Sequence, residues 1–321
     1  MPPHDRPEWP LLRERTSTLG IRILLAVQKV LGDKTLRLIL KPVLTSYWLT
    51  SPRLRQVVGA YQRRVEKLAP FLSRFGSPEP GLFSGIAQLE HFALAIFEQF
   101  AALSGEGKKS ARLDVVAEEI FSSDGKTSGA VILTSHTGCQ ELLMTSSSGF
   151  TEHEIVILQH TAHARKFNDL LAKAGAKPPQ ATFFEIGETL SPALVMELSE
   201  RAAKGAYIIL AGDRVPMGSD AAASVSFLGD PARFPTGGAL LSLLLGIPLR
   251  MMVCTRPDLK ERRYRVRFYS LCEKPPRVRR AARDAWLERM AALYAGSLEA
   301  ELLRSPLDWA NYFDFWEDFR K

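Results

Sequence analysis

Cysteine is scarce in this sequence. Cys139, Cys254 and Cys272 are dispersed through 321 residues with no CxxC pair, which argues against a disulfide framework and a structural zinc site and fits a reducing cytoplasm. There is no internal repeat, no low-complexity linker and no G-x-S-x-G nucleophile context. His160 and His163 are three apart, as metal ligands on a helix can be. They have no carboxylate or cysteine at ligand spacing nearby, so no metal is expected. A bilayer span needs about 20 mainly apolar residues, and charge interrupts every such window in the apolar stretch near the amino end.

What is present is the composition of a folded chain, 46% apolar and 24% charged, long enough for one large α/β domain with appendages or two small domains. The net charge of +7 is unevenly placed. Residues 1–70 hold thirteen Lys/Arg against five Asp/Glu, and residues 71–321 hold twenty-nine against thirty. A basic end can contact nucleic acid or an anionic membrane. Between Leu19 and Leu49 an apolar series (Ile21, Ile23, Leu24, Leu25, Val27 and onward to Tyr47 and Trp48) is interleaved with Arg22, Lys29, Lys34, Arg37 and Lys41. That is too apolar for a nucleic-acid arm, so no nucleic-acid partner is expected. Each interrupting charge costs roughly 2.5–3.5 kcal/mol at mid-bilayer, and Gly32-Asp33 and Pro42 are expected to break the segment into shorter helices. Cations beside a broad apolar face describe a helix lying on an anionic membrane surface. Packing on the rest of the protein is the other use of such a face, and both can hold for different faces. The first eighteen residues are charged and proline-rich, without the pattern of a signal peptide. The expected division is a basic amphipathic helical membrane-associating region over 1–75 and an α/β domain over 76–321.

From Gly129 onward strand-like and helix-like segments alternate, the mark of an α/β sheet. Strands are expected over 131–134, 155–158, 182–186, 206–211 and 225–228, with an opening strand at 112–116. A closing pair is expected at 249–255 and 264–269. Helices are expected over 84–103, 164–174, 193–204 (Ser191 as cap, Pro192 in the first turn), 238–245 and 281–303. Three strand ends carry polar groups: His136, His160, and Asp213 with Arg214. In a parallel sheet all three open on one edge, where α/β folds bind ligands. His136 leaves the run Val131-Ile132-Leu133-Thr134, and Glu141 follows five positions later at a helix start. An imidazole whose tautomer is held by a carboxylate can serve as general base toward an alcohol. A loop histidine followed by a helix-start glutamate is the plainer reading of the same pair, and a solvent-facing turn is the plainer reading of Asp213-Arg214. Cys139 lies beside His136, but an activated cysteine needs more support than this context gives.

The ordered set of motifs resembles a known family. It comprises the basic-apolar amino end, Ser135-His136-Thr137-Gly138-Cys139-Gln140-Glu141, Ala211-Gly212-Asp213-Arg214, Phe227 through Gly237, and Pro306-Leu307-Asp308-Trp309-Ala310-Asn311-Tyr312-Phe313-Asp314-Phe315-Trp316. It is similar to the bacterial lysophospholipid-type acyltransferases, specifically the lipid A late acyltransferase family. It looks closest to the aryl polyene cluster-associated branch because of its Asn-aromatic-Phe-Asp-Phe-Trp ending. Phe234-Pro235-Thr236-Gly237 differs from the Phe-Pro-Glu-Gly of glycerol-phosphate acyltransferases and weakens a glycerolipid assignment.

The resemblance implies a mixed, mainly parallel central sheet flanked by helices, with an N-terminal amphipathic membrane-binding region. It implies transfer of a fatty acyl group from an acyl thioester, on acyl carrier protein or as acyl-CoA, to a hydroxyl of a lipid acceptor. The expected place is the cytoplasmic face of a bacterial inner membrane, peripheral or monotopic, with no cofactor and no metal. In the HX4E pattern His136 takes the acceptor's proton and Glu141 orients it. Arg165 and Asn168 resemble the family's Arg…Asn block, with Arg165 meeting a phosphate or polarising the thioester carbonyl. Asp213, Arg214, Thr236 and Gly237 are expected to bind substrate, Asp213 and Arg214 by positioning the acceptor. A catalytically silent lipid-binding or assembly protein and an acyl thioesterase use the same groove and stay open as alternatives.

Overall fold

The structure is a computed structural model and describes residues 18–103, 112–116, 129–140, 142, 153–160, 181–186, 190–216, 219–258, 260–277 and 279–316. Three helices come first: α1 (Thr18–Thr50), α2 (Pro52–Leu68) and α3 (Leu82–Leu103). They are followed by β1 (Arg112–Val116), β2 (Ala130–Thr134), β3 (Ile155–His160), β4 (Ala181–Ile186), α4 (Pro192–Ala203) and β5 (Tyr207–Ala211). A hairpin, β6 (Ala222–Phe227) and β7 (Asp230–Pro235), leads to α5 (Gly237–Leu245), β8 (Leu249–Thr255), β9 (Arg263–Cys272) and α6 (Arg280–Arg304).

Among the described residues, seven strands form one sheet in the order β1-β9-β8-β2-β5-β3-β4. Strands β8, β2, β5, β3 and β4 run one way, and β9 and β1 run the other. The fold is therefore α/β with a mixed, mainly parallel central sheet flanked by helices, as the alternation of segments leads one to expect. Strands β2 and β8 are buried along their whole length, which is why they read as unbroken apolar runs. Their side chains alternate between two cores. Val131, Leu133, Ile208, Met251 and Val253 face a core shared with α4, α5, α6 and the hairpin. Ala130, Ile132, Ile209, Met252 and Cys254 face the other, with Ala102 of α3 and Leu142.

The hairpin corrects the reading of 225–237, which held one short strand. Its two-residue turn places Leu228 (φ 51) and Gly229 (φ 85) in the left-handed region, as such tight turns require. Leucine is unusual there. Here it is buried, and its N–H donates to the Glu299 carboxylate. Pro231 and Pro235 hid β7 in the sequence. A two-stranded ladder has an outer edge, where a residue without an N–H loses no pairing.

At the amino end, α1 bends at Gly32 (φ 77, ψ 175), where a break is expected. Pro42, expected to break it again, lies inside the helix. The backbone bond it forgoes is to the carbonyl of Leu38, whose side chain is 71% exposed, so water can satisfy that oxygen. Past the bend, Leu36, Leu40 and Trp48 are buried against α3. A Cβ at Gly85 would stand 2.2 Å from the Trp48 ring, so glycine there lets the two helices approach. Arg37 Nε donates to Glu90 of α3 at 2.6 Å. Helix α2 contributes Tyr61 and Val65 to the first core, and Tyr61 Oη donates to the carbonyl of Pro306 at 2.8 Å. No helix among the described residues is long and apolar enough to cross a membrane.

Candidate active site

Strand register builds the site. Parallel neighbours β2 and β5 pair Thr134 with Ala211, and Gly212 N–H donates to the Thr134 carbonyl at 2.8 Å. Two residues beyond that level on each strand stand His136 and Asp213, 77 apart in sequence. Asp213 Oδ1 meets His136 Nδ1 at 2.7 Å. Asp213 Oδ2 accepts from the His136 backbone N–H at 3.0 Å and from Trp309 Nε1–H at 3.1 Å. The end of β3, carrying His160, opens on the same edge.

The turn after β2 is tight. Thr137 N–H donates to the Ser135 carbonyl at 2.8 Å, and Gly138 takes φ 51. A Cβ on Gly138 would lie 2.5 Å from the Cys254 carbonyl oxygen, so only glycine fits both the space and the conformation. Gly212 serves the opposing strand end in a similar way, since a Cβ there would meet the Tyr294 ring at 2.8 Å. Tyr294 uses that space to donate its hydroxyl to the Thr134 carbonyl at 2.7 Å.

Electrostatics fix the proton's place. The Asp213 side chain has no exposure, whereas the His136 side chain is 38% exposed. Burial alone would raise the Asp213 carboxyl. The His136 imidazole beside it, its hydrogen bonds and the nearby Arg214 charge outweigh burial and hold it well below the usual carboxylate range. An ionised carboxylate only accepts, so Nδ1 carries the hydrogen, and in the neutral form of the ring it is Nε2 that has the lone pair. The arrangement is an oriented imidazole able to take a proton from a bound group.

A carboxyl-terminal strap closes over this corner. Trp309 pairs with Thr137 in an antiparallel bridge, and Ala310 N–H donates to the His136 carbonyl at 2.8 Å. Arg214 Nη2 donates to the Ala310 carbonyl at 2.6 Å, and its guanidinium lies 5.6 Å from the Phe313 ring centre. Burial lowers the Arg214 pKa from its ordinary value, and Asp213 pulls it back up. Trp309 itself is fully buried, packed among Tyr61, Phe227, Phe315 and Trp316.

Of the residues singled out in the sequence, His136, Asp213 and Arg214 come together. Asp213, expected to position an acceptor, has no exposed side-chain surface and both oxygens engaged by His136 and Trp309. Thr236 and Gly237 stand at the junction of β7 and α5, which packs against Leu133 of β2 beside Gly238. The Thr236 backbone bonds to Ala221 and Leu240. Glu141, Arg165, Asn168 and His163 lie outside the described residues, as does the helix expected over 164–174. Cys139 is buried in the second core. Among the described residues no group of three or more His, Cys, Asp or Glu could hold a metal. Surface depressions between β6 and α6 and around Asp114 and Asp258 do not include His136 or Asp213 in their walls. Trp309 was visible in the sequence only as part of a motif. Its one polar atom gains meaning from a contact across 96 residues.

Neither a family model nor a curated protein matches the sequence. Among solved structures the chain is similar to the 1-acyl-sn-glycerophosphate (LPA) acyltransferase PlsC from Thermotoga maritima. The likeness is 12% identity over 82% of this chain and 98% of that one, with a TM-score of 0.34. A likeness of that degree assigns neither activity nor ligand.

Proposed function

We propose that this protein is a membrane-associated O-acyltransferase, moving a fatty acyl group from acyl carrier protein or acyl-CoA to a hydroxyl of a lipid or glycolipid-like acceptor. The observation that carries the reading is the buried carboxylate of Asp213 on Nδ1 of a part-exposed His136 at the carboxyl edge of parallel strands. His136 Nε2 takes the proton as the acceptor oxygen attacks the thioester carbonyl carbon. The tetrahedral intermediate then expels the thiolate, which recovers the proton from the imidazolium. A thioester is already activated, so no acyl-enzyme is needed. Asp213 fills the orienting role that the HX4E spacing gave to Glu141, and Glu141 is proposed to add its charge to the same imidazolium. Arg165, with Asn168, is proposed to meet a phosphate of the pantetheine arm or of the acceptor, or to polarise the thioester carbonyl. Arg214, Thr236 and Gly237 are proposed to line the substrate path.

The finer assignment, to the lipid A late acyltransferases and their aryl polyene branch, rests on the ordered motifs alone. Membrane association, on the cytoplasmic face of a bacterial inner membrane, is supported by the two faces of α1. Leu36, Leu40 and Trp48 are turned inward, while Leu38, Val43 and Leu49 are exposed with Lys34 and Lys41 also on the surface. An exposed apolar stripe flanked by cations suits an anionic interface.

The test is incubation of purified protein with a labelled acyl thioester and vesicles of bacterial lipid. The reading expects acyl ester in the lipid fraction, lost in His136→Ala. Free fatty acid unaffected by acceptor would instead make the protein a thioesterase. Bound but uncleaved thioester would make it a lipid-binding protein.

A further inference from the structure

The strap places a hydrogen-bond donor on the far side of the carboxylate that holds His136. We infer that Trp309 is a positioning residue for the general base, acting through Asp213. The inference rests on the acyltransferase reading for its kinetic arm only.

Among the described residues, the His136 backbone N–H, His136 Nδ1–H and Trp309 Nε1–H converge on Asp213. A buried carboxylate left short of a donor leans harder on those that remain. Trp309 thus shares the negative charge and limits how strongly Asp213 draws on the imidazole. The indole is also placed as a device rather than as loose packing. Its backbone bridges Thr137, one residue past His136, and its carbonyl accepts from Gln88 Nε2 at 3.1 Å. The preceding residue, Asp308, takes His91 Nδ1 of α3 at 3.0 Å on one oxygen and the Arg256 backbone N–H at 2.8 Å on the other. Helix α3 and the loop after β8 therefore clamp the strap on one side of Trp309, and Arg214 grips it on the other at Ala310. A ring serving only to fill the core needs no such clamps, and phenylalanine would fill most of the same space. Among the described residues, the charged and titratable groups that act on this carboxylate are His136, Arg214 and Tyr294.

Trp309→Phe removes the donor and keeps an aromatic ring. A second form, with Trp309 replaced by its benzothienyl-alanine analogue, keeps the bicyclic shape and lacks only the N–H. Both are expected to lower kcat about tenfold with KM unchanged, since a carboxylate no longer fixed on its far side holds the imidazole less firmly in its productive orientation. The acid limb of the kcat profile moves to higher pH, because a less satisfied carboxylate favours the imidazolium. The low-field Nδ1–H proton resonance of His136, read by NMR without substrate, moves as well. A benzothienyl form with wild-type kcat, acid limb and resonance would overturn the inference. A shifted resonance in a protein that transfers no acyl group in any form would support the positioning role and sink the acyltransferase reading instead.

Discussion

Among the described residues, two histidine–aspartate pairs differ in what surrounds them. His136 and Asp213 meet at 2.7 Å with 38% of the imidazole side chain exposed. His91 and Asp308 meet at 3.0 Å with only 7% and 2% exposed. The first joins two strand ends at an edge where ligands bind. The second joins α3 to the strap, and the other oxygen of Asp308 is taken by the Arg256 backbone. The same two side chains thus leave an imidazole open to solvent in one place and form a buried clamp in the other. Access to the imidazole, more than the pairing, is what distinguishes them.

Exchanging the two histidines separates these roles most sharply. His136→Ala is expected to lower kcat for acyl transfer by about 10²–10⁴-fold, and it also costs stability, because the buried Asp213 is left short of a donor. His91→Ala is expected to cost stability without the large loss of activity. It costs about 1–3 kcal/mol of stability through the unpaired buried Asp308, read by urea unfolding, with kcat reduced less than tenfold.

Acid stability sharpens the same contrast. The folded-state pKa of Asp213 is depressed. Its stabilising contribution is therefore present above the ordinary aspartate value near 3.9 and is lost as pH falls through the lower folded value. Urea unfolding as a function of pH should show wild type losing its advantage over Asp213→Asn as pH drops below about 4. Parallel curves for the two proteins would mean that the carboxylate is not held as described.

A smaller effect concerns the amino end. Lys34→Gln with Lys41→Gln should weaken binding to anionic vesicles about thirtyfold at low salt, at roughly 1 kcal/mol per cation, and less at high salt. Arg37 suits this test poorly because it is engaged by Glu90. Flotation that persists in high salt and needs detergent for release would point to insertion rather than surface binding.

Much of the sheet was legible in the sequence because its central strands are buried on both faces. Val131 to Leu133 and Tyr207 to Leu210 admit few other readings, and the segments 112–116 and 249–255 match observed strands in full. The bend at Gly32 and the cap at Ser191, whose Oγ accepts from Leu194 N–H, were legible from local chemistry. The site was only half legible. His136 declared itself at a strand end, but its carboxylate partner did not. Asp213 lies seventy-seven residues away, and only the pairing of β2 with β5 makes it a neighbour of His136; Glu141 lies outside the described residues. Trp309 was hidden for the same reason. Pro42 misled because a proline's effect on a helix depends on whether the carbonyl it abandons faces water.

The central claim is that Asp213 acts on the reaction through His136 and not by touching substrate. A double-mutant cycle of His136→Ala and Asp213→Asn, read as kcat for acyl transfer, tests it most directly. The account predicts that Asp213→Asn alone costs 10²-fold or more and that adding it to His136→Ala costs nothing further. Equal losses from Asp213→Asn in both backgrounds would contradict it.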